Sequence, residues 1–303
     1  MASPVGALDL LLDDCTFPPP GSPLVCAVSG GPDSLALLAL AVAAGCVVTA
    51  VHVDHGLRRG SDAEGDVVAA AAARFGADYR GETVEVGPGP NLEARARAAR
   101  LGVLPRGSAT GHTMDDQAET VMVNLLRGAG LDGLAGMVPG PDHPLLGIRR
   151  SETHALCAEL GLDPVRDPSN TDRRFVRNRV RHELLPLASA IAGRDLVPVL
   201  ARQAGVLSDE ARLLEELAGG IDPSDAKALA AAPAPLARRA TRRWLRGPGP
   251  HPPDLAAVER VLAVARGQMG ATDVAPGTRV RRSRGTLSSE PVGPEASGSV
   301  GAR

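Results

Sequence analysis

The sequence predicts an α/β protein, in which a parallel β-sheet with helices on both faces precedes a smaller, mostly helical domain. The first observation is that β-branched runs alternate with Ala- and Leu-rich segments from residue 23 to about residue 130. This alternation is typical of parallel strands joined by crossover helices. The second observation is that the alternation is absent from the later part of the chain, where long Ala/Leu/Arg segments dominate.

The composition narrows the class of protein. The chain has 303 residues, of which 44% are hydrophobic and 22% charged, so it can bury a sizeable core. Its net charge of −2 excludes a polycation, so a nucleic-acid surface would have to be local. The four cysteines form no C-x-x-C pair, which argues against a structural zinc site and favours reduced thiols. No uninterrupted apolar run reaches about 18 residues, so we expect a soluble, cytoplasmic protein without a membrane partner.

The pattern predicts individual elements in order along the chain. Strands are predicted over residues 25–28, 47–54, 83–86 and 108–112. Helices are predicted over residues 34–44, 61–75, 91–102, 115–128, 196–218, 225–246 and 254–266. A hairpin is predicted over residues 278–291. The predicted domains are an N-terminal segment (1–22), an α/β domain (23–190), a smaller, mostly helical domain (191–291) and a disordered tail (292–303).

The segment "SGGPDS" follows the first predicted strand directly. Glycines allow backbone N–H groups to approach an anion closely, and the next helix directs its positive end at the same place. Pro32 suits the first turn of a helix, and Asp33 is suited to a magnesium ion that bridges phosphates. An ordinary strand-to-helix turn is the alternative. The whole pattern favours a phosphate-binding loop formed by Ser29, Gly30, Gly31, Pro32, Asp33 and Ser34.

The second predicted strand ends in "HVDHGLR". His52 and Asp54 share a face of the strand, whereas His55 already lies in the turn. A zinc site and a plain strand-end turn are both alternatives here. We favour a nucleotide-pocket role for His52 and Asp54, because this strand end would neighbour the phosphate loop.

The segment "TGHTMDDQAET" places a third polar cluster at a predicted strand end. His112, Asp116 and Glu119 are spaced as one stripe near a helix start, apart from the apolar stripe of that helix. Acidic residues in a first turn commonly only complement the helix dipole. Two acids with a third one turn later exceed that need, so the pattern indicates a catalytic cluster.

The segment "RDPSNTDRRFVRNRVRHELLP" concentrates arginines at one helix start. A solvated basic helix is the plain interpretation. Arginine also suits bidentate contacts to nucleic-acid phosphates, which makes this segment a candidate RNA surface. The candidate residues are Arg173, Arg174, Arg177 and Arg181.

Taken in order, these motifs resemble those of the bacterial tRNA(Ile)-lysidine synthases, a family with the phosphate loop of the N-type ATP pyrophosphatases. The matching blocks are "SGGPDSLALL", "HVDHGLR", "NLEARARAAR", "TGHTMDDQAET", "LLRGAGLDGLAGM", "PLLGIRR" and "DPSNTDRRFVRNRVRHELLP". They occur in order along a span of more than half of the chain. The resemblance implies a Rossmann-like fold in a short form of the family, without the extra C-terminal domain of its longer members.

The resemblance also implies a reaction and its participants. ATP, with Mg²⁺ on Asp33, adenylates the wobble cytidine of a CAU-anticodon tRNA(Ile) at C2. Free L-lysine then displaces AMP to give lysidine. Catalytic roles fall on Asp33, Arg97, His112, Asp116 and Glu119, with Asp116 and Glu119 binding the lysine ammonium. A homodimer is left open as a further assembly.

The chain departs from the family pattern at three places. Leu101 stands where the family usually has an aromatic residue, the segment 101–110 is shorter than usual, and His143 stands where an arginine is frequent. One alternative function is another tRNA modification by the same kind of ATP loop, such as 2-thiocytidine synthesis. The absence of a C-x-x-C pair argues against it. A second alternative is an inactive ATP- or RNA-binding module.

Overall fold

A computed structural model describes residues 4–54, 56, 62–84, 87, 95, 99, 102–165, 172–246, 253–275 and 278–291. The chain divides into two compact units between Ser208 and Asp209. The first unit contains all three of the predicted strand ends that carry polar clusters.

A four-stranded parallel sheet organises the first unit. Its strands are β1 (Pro23–Ala27), β2 (Val47–Asp54), β3 (Asp78–Thr83) and β4 (Ala109–Thr110), in the order β3-β2-β1-β4. All three pairings are parallel. Because β1 lies between β2 and β4, the segments that follow these three strands meet at one edge of the sheet.

Helices precede, connect and follow these strands along the chain. They are α1 (Pro4–Leu12), α2 (Pro32–Ala43), α3 (Asp62–Phe75), α4 (Met114–Leu126), α5 (Leu131–Leu134), α6 (Arg150–Glu159), α7 (Val176–Arg179), α8 (Leu185–Ala192) and α9 (Val197–Gly219). A π-helical turn, Val180–Leu184, joins α7 to α8. The division between the units falls within α9.

Apolar side chains cover both faces of the sheet, as predicted. On one face, α2 packs with Cys26 and Val48, and its residues 35–41 are all buried. A helix buried all round needs no polar stripe, which explains the unbroken aliphatic run of α2. On the other face, Val51 and Val53 pack with Leu104.

The N-terminal segment contributes to the same core. Leu8, Leu11 and Leu12 of α1 pack against the cluster around α2. The backbone N–H of Thr16 then donates to the carbonyl of Pro144 at 3.0 Å. The apolar residues near the start of the chain therefore cover part of the sheet domain.

The third strand differs from its prediction. The sequence places it at residues 83–86, whereas β3 spans Asp78–Thr83 and pairs with β2 from Thr49↔Asp78 to Asp54↔Thr83. The side chains of this edge strand are mostly exposed and polar, so it carries no apolar pattern to identify it. Most of the helix predicted over residues 91–102 lies outside the described residues.

The second unit combines helices with a small antiparallel sheet. Its elements after α9 are α10 (Ala226–Ala231), α11 (Ala234–Trp244), α12 (Leu255–Ala265), β5 (Ala271–Ala275), β6 (Thr278–Ser283) and β7 (Thr286–Pro291). The single helix predicted over 225–246 is wrong, because the chain breaks at Pro233 and restarts as α11. The predicted hairpin at 278–291 is present, and β5 adds a third strand beside it.

Within the described part of the chain, no single helix has both the length and the apolar composition to cross a membrane. One pair, Val176–Ala192 and Val197–Gly219, meets these criteria by length and composition alone and is bent by 95°.

Candidate active site

The segment Ser29–Ser34 forms a tight loop between β1 and α2. The hydroxyl of Ser34 donates to the carbonyl of Gly31 at 2.9 Å and accepts the backbone N–H of Ser29 at 3.2 Å. The Ser29 and Ser34 hydroxyls lie 3.2 Å apart. Pro32 occupies the first turn of α2, as predicted. The loop is thus held by its own hydroxyls at the positive end of an apolar helix, which is the arrangement that binds phosphates.

Gly30 has a backbone conformation that favours glycine, with φ of +84°. It is buried, and its carbonyl accepts the N–H of Val165 at 2.9 Å. A Cβ at this position would also lie 3.1 Å from the Val165 side chain. The first glycine of the loop is therefore needed both for its φ angle and for this close approach.

Gly111, which follows β4, lies against the same loop. A Cβ at Gly111 would lie 2.7 Å from the carbonyl oxygen of Asp33 and 2.8 Å from its carbonyl carbon. Backbone cannot yield as a flexible side chain can, so only glycine fits here without moving the start of α2. This contact brings the "TGHT" segment and the phosphate loop together.

His52 and Asp54 occupy the neighbouring strand end. His52 is buried, and its Nδ1 lies 3.0 Å from the carbonyl of Val28, the residue that precedes the loop. Its Nε2 has no hydrogen-bond partner among the described residues. Asp54 accepts the backbone N–H of Gly56 at 2.9 Å. His52 thus supports the base of the loop, and its predicted contact with nucleotide stays a prediction.

The two acidic residues of α4 meet three arginines. Glu119 is only 1% exposed, and its two carboxylate oxygens receive hydrogen bonds from all three guanidinium groups. Asp116 Oδ1 lies between 2.8 and 3.5 Å from nitrogens of the same three groups. A buried carboxylate without partners is very costly, so these guanidinium groups offset the cost of burying Glu119. The three arginines are Arg150, Arg177 and Arg181.

Two of these arginines come from the basic segment that the sequence predicts to contact RNA. Arg177 Nε donates to Glu119 at 2.9 Å, and Arg181 Nε donates to it at 2.6 Å. Arg181 lies in the π-helical turn. By contrast, Arg173 and Arg174 are highly exposed and contact the acidic residues Glu183 and Asp172. The four predicted RNA-binding arginines are therefore divided between the buried cluster and the surface.

Arg150, at the start of α6, joins this cluster to the phosphate loop. Its Nη1 donates to Glu119 at 2.9 Å and its Nη2 to Asp116 at 2.8 Å, while its Nε lies 3.6 Å from Asp33 Oδ2. Burial alone would lower the pKa of Arg150, but Asp116 and Glu119 outweigh that effect and raise it. Arg150 therefore stays charged and touches every acid of the predicted catalytic set.

Asp33 projects from the first turn of α2 toward α6. Its Oδ1 accepts a hydrogen bond from the buried hydroxyl of Thr153 and lies 3.9 Å from His154 Nε2. Burial raises the pKa of Asp33, although Thr153 and Arg150 oppose the shift. The carboxylate is held in one orientation at the phosphate loop.

Asp116 also caps its own helix. Its Oδ2 accepts the backbone N–H and the hydroxyl of Thr113, each at 2.9 Å. Burial alone would raise the pKa of Asp116, but Arg150, Arg177 and the Thr113 N–H together lower it to about 2. Asp116 therefore caps the helix through Oδ2 and pairs with the arginines through Oδ1.

His112 lies outside the helix, because α4 begins at Met114 with Thr113 as its N-cap. The expectation of one helical stripe from His112 to Glu119 is wrong in this respect. His112 Nδ1 instead lies 2.7 Å from the hydroxyl of Thr110. His112 remains close enough to Asp116 to lower the pKa of that carboxyl.

Neither Arg150 nor Thr153 is among the site residues predicted from the sequence. The available signal was the block "PLLGIRR", which ends at the first residue of α6. Asp115 positions this segment, because it accepts the Arg150 N–H at 2.8 Å and two guanidinium hydrogen bonds from Arg149. Arg97, another predicted site residue, lies outside the described residues.

The donor set at Asp33 fits a magnesium ion held jointly with phosphates. Within the part of the chain that the structure describes, no three His, Cys, Asp or Glu side chains form a metal-binding group. Mg²⁺ commonly takes one or two carboxylates and completes its shell with phosphate oxygens and waters. A single oriented carboxylate at a phosphate loop meets that requirement.

Comparison with known proteins gives two family matches and close relatives. Residues 10–188 match the PP-loop domain, and residues 225–288 match the TilS substrate binding domain. The tRNA(Ile)-lysidine synthase of Nocardia farcinica is 42% identical over 284 residues, covering 86% of this chain and 89% of that protein. The tRNA(Ile)-lysidine synthase of Mycobacterium tuberculosis is 40% identical over 279 residues, covering 85% of each chain.

Among solved structures, the chain is similar to the U34-tRNA thiolase NcsA from Methanococcus maripaludis. The TM-score is 0.49 at 17% identity, over 72% of this chain and 80% of that one.

Replacing Gly111 by alanine tests the contact between the "TGHT" segment and the phosphate loop. We expect G111A to lose about 1–3 kcal/mol of unfolding free energy and to bind ATP more weakly, because its Cβ would push the Asp33 backbone away. Urea unfolding and equilibrium nucleotide binding measure the two effects. The control is G205A, a helical position with nothing within 4 Å, for which we expect equal or higher stability. Equal behaviour of G111A and G205A would contradict the prediction.

The acid dependence of stability tests the charge cluster. The folded pKa of Asp116, about 2, lies below the ordinary value of 3.8. Its stabilising contribution is therefore complete above about pH 4 and is lost as the pH falls through about 2. We expect D116N to be less stable than wild type at pH 7, with the difference shrinking between pH 4 and 2. Urea midpoints at a series of pH values measure this difference.

The control for that series is D209N, at an exposed helical residue, with an expected effect within about 0.5 kcal/mol. A wild-type advantage over D116N that stays constant down to pH 2 would show that the Asp116 charge does not stabilise the fold.

Proposed function

This chain belongs to the tRNA(Ile)-lysidine synthase family, and we propose how its residues divide the two steps of the reaction. It is an ATP-dependent enzyme that forms lysidine on tRNA(Ile). We propose that the accepted tRNA carries a CAU anticodon and that free L-lysine is the second substrate. In the first step ATP adenylates the wobble cytidine at C2, and in the second the ε-amine of lysine displaces AMP.

The first step takes place at the phosphate loop. The backbone N–H groups and hydroxyls of Ser29–Ser34 bind the phosphates at the positive end of α2, with His52 and Asp54 beside them in the nucleotide pocket. Asp33 would hold Mg²⁺, which neutralises phosphate charge when bound. Arg97 would stabilise charge on the phosphates or the adenylate. Thr153 keeps the Asp33 carboxylate oriented.

The second step takes place at Asp116 and Glu119, which bind the lysine ammonium. In the described structure their charges are matched by three arginines, of which Arg177 is the most exposed at 36%. With Asp33 included, three carboxylates face three guanidinium groups, so an added ammonium would leave one positive charge in excess. We therefore propose that lysine takes the place of Arg177 at the acidic pair, and that Arg177 turns to RNA phosphate or to the adenylated base.

A single observation supports this division most strongly: one side chain, Arg150, contacts the acid of the ATP step and both acids of the lysine step. The two half-reactions must share one cytidine carbon, so their sites have to lie within a few ångströms of each other. A guanidinium that spans Asp33, Asp116 and Glu119 meets that requirement. It would also stabilise negative charge as AMP leaves.

The RNA would be bound by exposed arginines and by the predicted helical domain. Arg173 and Arg174 extend from the segment that begins α7, and Arg181 would complete the surface near the pocket. Residues 191–291 are proposed to contact the tRNA outside the anticodon. We also propose that the protein works in the cytoplasm. A homodimer is a further proposal, which light scattering of the purified protein would test.

Incorporation of radiolabelled lysine into a CAU-anticodon tRNA(Ile) transcript tests the proposed function. With ATP and Mg²⁺ we expect labelling by the wild type and none of a methionine tRNA transcript. D33N should lose at least about 100-fold in AMP formation, because it removes a carboxylate from the phosphate site. E119Q should keep adenylating the tRNA but need more lysine.

ATP cleavage to AMP without lysine attachment by the wild type would overturn the assignment of the second substrate. The matched control is D78N, which removes an exposed carboxylate in β3. We expect it to label the transcript at the wild-type rate.

The double variant R173A/R174A tests the proposed RNA surface. We expect it to raise the KM for tRNA and to reduce the salt dependence of tRNA binding, with kcat unchanged, because phosphate contacts act through counterion release. Filter binding at several salt concentrations measures the slope. R80A is the matched control, since Arg80 is likewise exposed and paired with an acid, Glu82. Equal salt slopes for the double variant and for R80A would contradict the assignment.

A further inference from the structure

Thr110 occupies a hydrogen-bonding position that the reaction scheme leaves unexplained. Its hydroxyl lies 2.7 Å from His112 Nδ1, 2.8 Å from His143 Nδ1 and 3.1 Å from the carbonyl oxygen of Asp142. The two imidazole rings meet edge to face, with centroids 5.2 Å apart. One hydroxyl thus lies between two histidines.

Backbone pairing fixes this arrangement. Thr110 ends β4, and its N–H donates to the Asp142 carbonyl at 2.9 Å. The loop that carries His143 is closed by its own N–H, which donates to the Gly140 carbonyl at 2.9 Å. On the other side, Gly111 rests on the Asp33 backbone. The hydroxyl is therefore held in place relative to the phosphate loop.

The number of protons limits how the hydroxyl can bond. A threonine hydroxyl donates one proton and accepts through two lone pairs. The Asp142 carbonyl can only accept, and His143 Nδ1 beside it also accepts when the His143 proton is on Nε2, so the hydroxyl proton has acceptors on that side. With the hydroxyl proton on that side, the lone pairs face His112, and a proton on His112 Nδ1 completes the 2.7 Å contact.

We propose that Thr110 is a positioning residue that fixes the tautomer of His112, with His143 and the Asp142 carbonyl taking the hydroxyl proton. His112 Nδ1 then carries the proton, and His112 Nε2 is the basic atom. The bond made by one ring nitrogen decides which nitrogen is basic, as in other catalytic histidines. This inference rests on the proposed function, because it assigns the base for the lysine step.

The chemistry at His112 follows from that tautomer. The ε-ammonium of lysine gives one proton to His112 Nε2, and the freed lone pair forms the bond to C2 of the cytidine. The C2–O bond breaks, and its electron pair leaves with AMP. A second proton leaves the new C–N nitrogen for solvent, so two protons are released for each lysine attached.

The charged groups around His112 are consistent with a base in this place. Asp116 of α4 is close enough to interact with the His112 charge, which adds to the larger effects of Arg150 and Arg177 in lowering the pKa of Asp116. Asp142 belongs to the loop that bears His143. A protonated His112 would therefore be stabilised by the same acidic residue that helps to bind lysine.

The experiment separates the two steps. The enzyme first adenylates the tRNA without lysine; lysine is then added and its attachment is timed. We expect T110V, which keeps the shape and removes the hydroxyl, to slow lysine attachment about 100-fold and to adenylate within about two-fold of wild type. T110S should restore attachment. H143L should lose less than T110V, because the Asp142 carbonyl still accepts the hydroxyl proton.

A spectroscopic measurement tests the tautomer without relying on activity. In ¹⁵N-histidine-labelled enzyme, the His112 signals should report a proton on Nδ1 in the wild type and in T110S, and a shift toward Nε2 in T110V. Comparison with H112Q assigns the signals. S108A is the matched control, since it removes a nearby hydroxyl that donates to Pro105 at 2.7 Å.

Each result decides the proposal. A wild-type His112 protonated on Nε2, or T110V slowing both steps equally, would overturn it. If the wild type attaches no lysine at all, the proposed function fails, while the tautomer measurement still decides the assignment of Thr110 separately.

Discussion

The burial of one carboxylate governs the architecture of this site. Glu119 is almost fully buried, and a carboxylate in that position needs cations from several directions. They come from two places distant in sequence: Arg150 at the start of α6, and Arg177 and Arg181 around α7. The chain must therefore bring α4, α6 and α7 together before the charge is tolerated. Removing one partner would leave the others unbalanced, so the cluster links the positions of these helices.

The phosphate loop depends on the same arrangement. Asp33 is oriented by Thr153 and approached by Arg150, both of which belong to α6. Gly111 allows the end of β4 to lie close to the phosphate loop, because it has no side chain to clash with the Asp33 backbone. The sheet supplies the common edge, and these side-chain contacts determine how the two chemical groups face each other across it.

Much of the fold follows from the sequence alone, because periodicity and glycine positions are local signals. The boundaries of β2 agree with the sequence pattern, and those of α2 and α4 lie within about two residues of it. β3 was misplaced because an exposed edge strand buries little apolar surface. Pro233 marks the break between α10 and α11 in the sequence. Both helices are rich in Ala and Leu, so the two were predicted as one. Local signals also identified the acids of α4. They did not indicate Arg150 or Thr110, because the contacts of these two residues join segments that are distant in the sequence.

The π-helical turn Val180–Leu184 has a consequence for how this segment can vary in length. Val180 and Leu185 are both buried in one cluster with Ala118, although they are five residues apart. In a regular α-helix five residues advance about 140° beyond a full turn, so these two side chains would face different directions. The wider turn lets both face the core while Arg181 reaches Glu119. With one residue fewer, the segment could keep the packing of Val180 and Leu185 or the pairing of Arg181 with Glu119, but not both. Homologous chains that keep both should therefore keep the length of this segment, even where its sequence drifts.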